Sequence, residues 1–101
     1  KGGNVNLYTP IFVAACYGDP EIISLMVEKG AIIHYRDSRM YTPLTNAVSC
    51  GKIENVRTFL KYGAQVDIVY NDGKTALILA KEKGYDEIVA LLIEYLKSKE
   101  Q

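Results

Sequence analysis

The sequence is short of the residues and segments that several kinds of function require. Its 101 residues include one histidine, and twelve basic side chains balance twelve acidic ones, so the formal net charge is zero. A duplex-binding domain normally gathers a basic excess on one face, and we therefore expect no nucleic-acid partner. No apolar run approaches the roughly 18 residues that a membrane-spanning helix needs, so we expect no membrane partner either.

Groupings that support catalysis or metal binding are also missing. The single histidine, His34, is most simply explained as an exposed or turn-bonded side chain. Cys16 and Cys50 lack the spacing of metal ligands and are too few for a disulfide framework. We predict no enzyme activity, no catalytic residue, no metal and no cofactor. A reducing, cytoplasmic setting fits this cysteine usage best.

What the sequence does contain is a repeat. Thr9, Thr42 and Thr75 follow one another at intervals of 33 residues, and the first two precede a proline. The same interval separates three glycines, which are Gly18, Gly51 and Gly84. Self-similarity at a fixed period of this length indicates stacked structural units. Such an array offers a long surface to a partner rather than an enclosed pocket for chemistry.

Each unit carries the same local signals. A threonine such as Thr42 can cap a helix with its side-chain oxygen, and Pro43 suits the first helical turn because it lacks an N–H. Nine residues after each threonine, a glycine is placed to end that helix in the left-handed conformation. A second helix follows, and Gly30 or Gly63 ends it in the first two units. The polar segment before the next threonine predicts a hairpin-like finger.

These residues resemble the ankyrin repeat. Residues 42–47 and 72–80 match the family's Asp-Gly-x-Thr-Pro-Leu-x-x-Ala pattern in whole or in part, and 87–93 matches its second helix. The resemblance covers nearly the whole chain and implies an all-α solenoid of stacked helix–turn–helix units with finger loops. It divides the single domain, 1–101, into the remnant of a preceding finger at 1–8, repeats at 9–37 and 38–71, and a last repeat at 72–101 that looks like a C-terminal cap.

Several positions depart from the family pattern. The histidine that follows Thr-Pro-Leu is replaced in every unit, by Phe12, Thr45 and Ile78, so its hydrogen bonds must be replaced or lost. Leu7 and Met40 stand where the fingertip glycine belongs, which predicts distorted turns.

Polar residues and thiols also occupy positions between helices. Asn55 and Thr58 interrupt the apolar stripe of the second unit. We interpret them as a partly exposed polar pair and expect the middle unit to be the weak link. Adjacent repeats lie roughly 10 Å apart by helix-packing distances, so reduced thiols at Cys16 and Cys50 are favoured over a disulfide.

The first helix of the first unit, residues 11–15, is apolar on every face. That composition is typical of an internal repeat rather than of a polar terminal cap. We expect the face near Phe12 and Val13 to be covered by an upstream unit or, through self-association, by another copy of the chain.

The resemblance also implies where a partner binds. Ankyrin proteins present a concave face made of fingertips and the exposed ends of first helices. Tyrosine and arginine are enriched among interface anchors, because they bury a large area and keep a polar tip. The residues that map to this face are Tyr8, Tyr17, Arg36, Ser38, Arg39, Tyr41, Ser49, Cys50, Tyr62, Asn71, Lys74 and Glu82.

We therefore predict a non-catalytic module that binds a partner protein or peptide on its concave face. Anchoring by tyrosines together with Arg36 and Arg39 would suit a partner with apolar or acidic groups. Two alternatives stay open at this stage. The chain could be a spacer or scaffold segment of a longer ankyrin array, or a regulatory or inhibitory domain of an enzyme system.

Overall fold

The computed structural model describes residues 8–70 and 73–99, and that part of the chain is helical without a β-strand. It has the predicted all-α architecture of helix–turn–helix units. Six helices follow one another, namely α1 (Tyr8–Tyr17), α2 (Pro20–Glu28), α3 (Pro43–Ser49), α4 (Ile53–Lys61), α5 (Ala76–Lys83) and α6 (Asp86–Lys99). We call α1–α2, α3–α4 and α5–α6 the first, second and third units.

The helices form two rows. The first helix of each unit contacts the first helix of the next, α1 with α3 and α3 with α5, to make an inner row. The second helices make an outer row, in which α2 contacts α4 and α4 contacts α6. Ala14, Ala47 and Ala80 occupy equivalent buried positions in the inner row. Because these side chains are small, they allow neighbouring inner helices to approach closely.

The core lies between the two rows and runs the length of the stack. Ile11 and Leu44 enter it from the inner row, and Ile23, Phe59 and Leu92 enter it from the outer row. All five are almost fully buried. Each such side chain stabilises the fold by about 1.5–3 kcal/mol relative to its exposed state. The stack is elongated, with dimensions of 43 × 27 × 24 Å.

Threonine caps the inner helices of the second and third units, as predicted. The hydroxyl oxygens of Thr42 and Thr75 accept from the backbone N–H groups of Thr45 and Ile78, each at 3.4 Å. The first unit differs, since α1 begins at Tyr8 and Thr9 therefore lies inside the helix. The side chains of Tyr8 and Thr9 are outside the described residues.

Two of the three predicted glycine helix stops have the expected conformation. Gly51 and Gly84 have positive φ angles of 72° and 74°. Gly18 does not, and the prediction of a left-handed stop there is wrong. Its N–H instead donates to the carbonyl of Ala14 at 2.8 Å, in the helical pattern. A Cβ at Gly18 would lie 2.8 Å from the same carbonyl oxygen, so glycine is needed here for space.

Asn55 and Thr58 are buried, and their interpretation as a partly exposed pair was wrong. The side-chain amide of Asn55 donates to the carbonyls of Ala15 at 3.0 Å and Gly18 at 3.2 Å, both in the first unit. The hydroxyl of Thr58 donates to the carbonyl of Glu54 one turn earlier. A satisfied amide that joins two units stabilises their interface, which argues against a weak middle unit.

Hydrogen bonds also replace part of what the missing family histidine would supply. The hydroxyls of Thr42 and Thr45 lie 3.2 Å apart and share a hydrogen bond at the start of α3. The next residue, Asn46, donates from its amide to the carbonyl of Phe12 in the first unit at 2.9 Å. Ile78, which is equivalent to Thr45 in the third unit, is exposed.

Cys16 and Cys50 form a disulfide, which overturns the expectation of two free thiols. Their Cα atoms lie 5.5 Å apart, within the range that a disulfide requires. The estimate of 10 Å failed for two reasons. Small residues bring α1 and α3 close together, and the cysteines are 34 residues apart rather than 33. The argument for a reducing compartment that rested on unpaired cysteines therefore no longer applies.

No helix within residues 8–70 and 73–99 is both long enough and apolar enough to span a membrane.

Candidate interaction surface

The first finger, residues 31–41, ends in a tight turn organised by Asp37. The backbone N–H of Asp37 donates to the carbonyl of Tyr41, and the N–H of Met40 donates back to the carbonyl of Asp37. One carboxylate oxygen of Asp37 accepts from the N–H groups of Arg39 and Tyr41. The other accepts from the guanidinium of Arg39 at 2.9 and 2.5 Å. The carboxylate therefore fixes the turn and holds the arginine.

The same contacts set the charge state of Asp37. Partial burial alone would raise the pKa of its carboxyl. The hydrogen bond from the Arg39 side chain, the N–H groups of Tyr41 and Arg39, and the positive charge of Arg39 together outweigh burial. They hold the pKa of Asp37 below its ordinary value of 3.8. The finger therefore presents an ionised Asp37–Arg39 pair at neutral pH.

Met40 adopts the backbone conformation of the glycine that it replaces. Its φ angle is 68°, and the equivalent Gly73 in the second finger, residues 64–74, has a φ angle of 80°. The second finger repeats the turn, with the N–H of Gly73 donating to the carbonyl of Tyr70 and that of Tyr70 to the carbonyl of Lys74. The predicted distortion at Met40 is therefore absent, although a left-handed conformation is strained for a residue with a Cβ. Leu7 lies outside the described residues.

Arg39 and two tyrosines join neighbouring fingers. The guanidinium carbon of Arg39 lies 4.0 Å from the ring centroid of Tyr41. Tyr41 packs edge to face against Tyr70, with ring centroids 4.7 Å apart. Arg36 also reaches the second finger, where its guanidinium lies 3.5 Å from the carbonyl of Val69. These contacts hold the first finger against the second and give the surface a defined shape.

A cleft of about 480 Å³ lies between the first finger and the inner helices. Its apolar side includes Phe12 and Tyr35, whose rings meet edge to face at a centroid distance of 6.1 Å. Its polar side is the Asp37–Arg39 pair. The residues that line it are Phe12, Val13, Cys16 and Tyr17 from α1, Tyr35, Asp37, Ser38 and Arg39 from the finger, and Asn46 from α3. We call it the finger cleft.

The finger cleft brings together part of the predicted binding set. Tyr17, Ser38 and Arg39 line it. Arg36 and Tyr41 flank it on the same finger, and Ser49 and Cys50 lie at the adjoining end of α3. Lys74 and Glu82 form an ion pair of 2.6 Å between the second finger and α5 of the third unit.

Tyr62 belongs to a different part of the molecule. It ends α4 in the outer row, and its hydroxyl donates to the carboxylate of Glu28 at the end of α2 over 3.4 Å. The structure thus groups Tyr62 with the second helices and not with the finger cleft. Asn71 and the side chain of Tyr8, also in the predicted set, lie outside the described residues.

Sequence reasoning missed six residues of the cleft, namely Phe12, Val13, Cys16, Tyr35, Asp37 and Asn46. A signal for Phe12 was present, because an aromatic side chain replaces the family histidine at the inner-helix position. Asp37 had no such signal, since its importance depends on a turn that Met40 would normally disfavour.

Comparison with known proteins agrees with this architecture. The family pattern described as "Ankyrin repeats (3 copies)" matches residues 1–70, and "Ankyrin repeat" matches residues 72–98. Stacked helix pairs with finger loops define a solenoid repeat protein. The chain belongs to the ankyrin repeat family.

Several relatives align over most of this chain. It is 36% identical over 90 residues to the ankyrin repeat and KH domain-containing protein mask of Drosophila melanogaster. This alignment covers 87% of this chain and 2% of the Drosophila protein. It is 34% identical over 85 residues to an ankyrin repeat protein of Rickettsia bellii, covering 79% and 36%. It is 32% identical over 92 residues to the ankyrin repeat-containing protein P1E11.10 of Schizosaccharomyces pombe, covering 89% and 43%. The chain thus spans less than half the length of each of these relatives.

Ankyrin repeats are generally non-catalytic modules of protein–protein interaction. Within residues 8–70 and 73–99, no three His, Cys, Asp or Glu side chains are grouped closely enough to hold a metal ion.

Proposed function

We propose that the chain binds a partner protein or peptide in the finger cleft. The observation that carries this proposal is Tyr17, whose side chain is 86% exposed at the end of α1 and lines the cleft. A large aromatic residue held out into solvent contributes little to folding. Tyrosine is, in contrast, among the residues most enriched in interface hot spots.

The chemistry of the cleft defines the kind of partner. Phe12, Val13 and Tyr35 offer an apolar surface that suits one apolar or aromatic side chain. The Asp37–Arg39 pair at the rim is already charge-balanced. It would orient polar groups of the partner's backbone rather than attract a strongly charged ligand. We infer a peptide segment with an apolar anchor flanked by polar residues.

The test begins with peptides selected from a random library on the folded chain. Selected peptides should lose at least about 30-fold in affinity when Tyr17→Ala is measured by isothermal titration, because a hot-spot side chain contributes about 2 kcal/mol or more. Tyr62→Ala is the matched control, since it removes an aromatic ring from the outer row. The selected peptides should bind this variant with the same affinity as the wild type. Equal affinity for the wild type and Tyr17→Ala would place binding elsewhere.

A second interaction is favoured by the exposed face of the first unit. Ile22 and Leu25 are 48% and 54% exposed, whereas Asn55 and Thr58, at the equivalent positions of the second unit, are 3% and 8% exposed. The positions buried by stacking in the second unit are therefore uncovered and apolar in the first. We propose that a further ankyrin-type unit of the same polypeptide stacks on this face, because the second unit covers its equivalent positions in that way.

The stacking proposal is tested by fusing a copy of the second unit ahead of the chain in register. The fusion should unfold at a higher urea concentration, and Leu25→Lys should remove that gain. The same substitution should have little effect in the unfused chain, where Leu25 is exposed. Unchanged stability of the fusion would contradict the proposal. A dimer of the unfused chain that Leu25→Lys dissociates would assign the face to a second copy.

A further inference from the structure

We propose that the Cys16–Cys50 disulfide is a thiol–disulfide exchange site that couples the first unit reversibly to the second. Its substrates are low-molecular-weight thiols and disulfides of the glutathione class. The proposal does not depend on the finger cleft having a partner, because it concerns the link between two units.

The two cysteine residues differ in exposure. Cys50 follows the last residue of α3 and is exposed, whereas Cys16 is 6% exposed within α1. The sulfur of Cys16 also lies 3.4 Å from the carbonyl oxygen of Asn46. An attacking thiolate therefore reaches the bond more readily from the side of Cys50 than from that of Cys16. Exchange depends on access to the sulfur that is attacked, so the geometry makes Cys50 the entry point.

The exchange balances in two steps. A thiolate of the small thiol attacks the sulfur of Cys50, the bond between the two cysteines breaks, and Cys16 leaves with the electron pair and takes a proton from solvent. A second small thiolate then attacks the sulfur of the small thiol in the mixed disulfide. Cys50 leaves with the electron pair and is protonated in turn. Two small thiols are thereby oxidised to one disulfide, and the protein disulfide is reduced to two thiols. The small disulfide drives the reverse reaction.

The position of the bond determines what reduction would change. It joins α1 to the end of α3, so it crosses the contact between the first and second units. The equivalent residues across the next contact are Ser49 and Lys83, which cannot form such a bond. Because repeat proteins are stabilised by contacts between neighbouring units, loss of this link should loosen α1 and α2 while leaving α5 and α6 unchanged.

The experiment uses the full chain equilibrated in buffers of defined reduced-to-oxidised glutathione ratio. Thiol titration of the folded protein should give two thiols in reducing buffer and none in oxidising buffer, reversibly. Amide hydrogen exchange in α1 and α2 should accelerate at least about 10-fold on reduction, with no change in α6. The melting temperature should fall by roughly 15 °C or more, as expected for opening a closed loop of this length.

Single variants separate exchange from a merely structural link. Cys16→Ser leaves the exposed Cys50, which should react with oxidised glutathione at least about 10-fold faster than the Cys16 that Cys50→Ser leaves. The rate of amide hydrogen exchange in either variant should not depend on the reduced-to-oxidised glutathione ratio. The proposal is overturned if the folded disulfide is reduced only as fast as the protein unfolds. It is also overturned if the two single variants react equally fast, or if oxidised protein contains two free thiols.

Discussion

The two contacts between neighbouring units are built differently. Between the first and second units, Asn55 donates to two backbone carbonyls and the Cys16–Cys50 bond adds a covalent link. Between the second and third units, Ile88 occupies the position equivalent to Asn55 and is 2% exposed. The ring of Tyr85 there lies against the backbone of Gly51, close enough that a Cβ on Gly51 would meet it at 3.0 Å. One contact is polar and covalent, and the other is apolar.

The reason for the difference lies at the end of each inner helix. In the second unit, left-handed Gly51 donates its N–H to the carbonyl of Val48. In the first unit, Gly18 continues the helical pattern and donates to Ala14, while the carbonyl of Ala15, equivalent to Val48, accepts from Asn55. The conformation of one glycine thus decides whether the next unit must supply a donor or an apolar side chain.

Exchanging the two side chains tests this comparison and should give the largest effect. Ile88→Asn replaces a buried apolar group by an amide facing a carbonyl that already accepts from Gly51. The combined loss of apolar burial and the cost of a poorly satisfied amide should lower the free energy of unfolding by about 3–5 kcal/mol, measured by urea denaturation. Wild-type stability in Ile88→Asn would show that the two contacts are interchangeable.

Asn55→Ile is the reciprocal control. It leaves the carbonyls of Ala15 and Gly18 without their donor but adds an apolar side chain to a buried position. The expected loss is therefore smaller, about 1–3 kcal/mol. A gain in stability would mean that apolar packing serves both contacts better.

The part of the fold that could be predicted from the sequence is the part that repeats. Equivalent residues 33 positions apart fixed the helix pairs, the caps at Thr42 and Thr75, and the fingers. The unpredicted features depend on atoms of another unit. The acceptors of Asn55 lie 40 and 37 residues away, and Cys50 pairs outside the 33-residue interval. The finger cleft was only partly predicted, because its walls come from three separate segments.

Met40 and Gly73 extend the comparison to the fingers, with a smaller expected effect. Met40→Gly relieves a left-handed conformation at an exposed position, and this gain exceeds the entropy that glycine adds to the unfolded chain. We expect the free energy of unfolding to rise by about 0.5–1 kcal/mol in urea denaturation. Gly73→Ala, the matched change in the second finger, should lower it by about 1 kcal/mol. Equal effects of the same sign would show that the two turns are not under the same constraint.

Asp37 provides the smallest effect and a pH dependence with a definite sign. Its equivalent in the second finger is Tyr70, so a carboxylate at this turn position is particular to the first finger. Because the folded-state pKa of Asp37 is below the ordinary 3.8, its stabilising contribution is fully present above pH 3.8 and is lost as the pH falls through the lowered value. Arg39 is about half exposed, so the contribution should be a few tenths of a kcal/mol and at most about 1 kcal/mol.

Asp37→Asn should therefore be slightly less stable than the wild type at pH 7, and the difference should vanish in strong acid. A difference that persists unchanged at low pH would show that the carboxylate charge does not stabilise the turn.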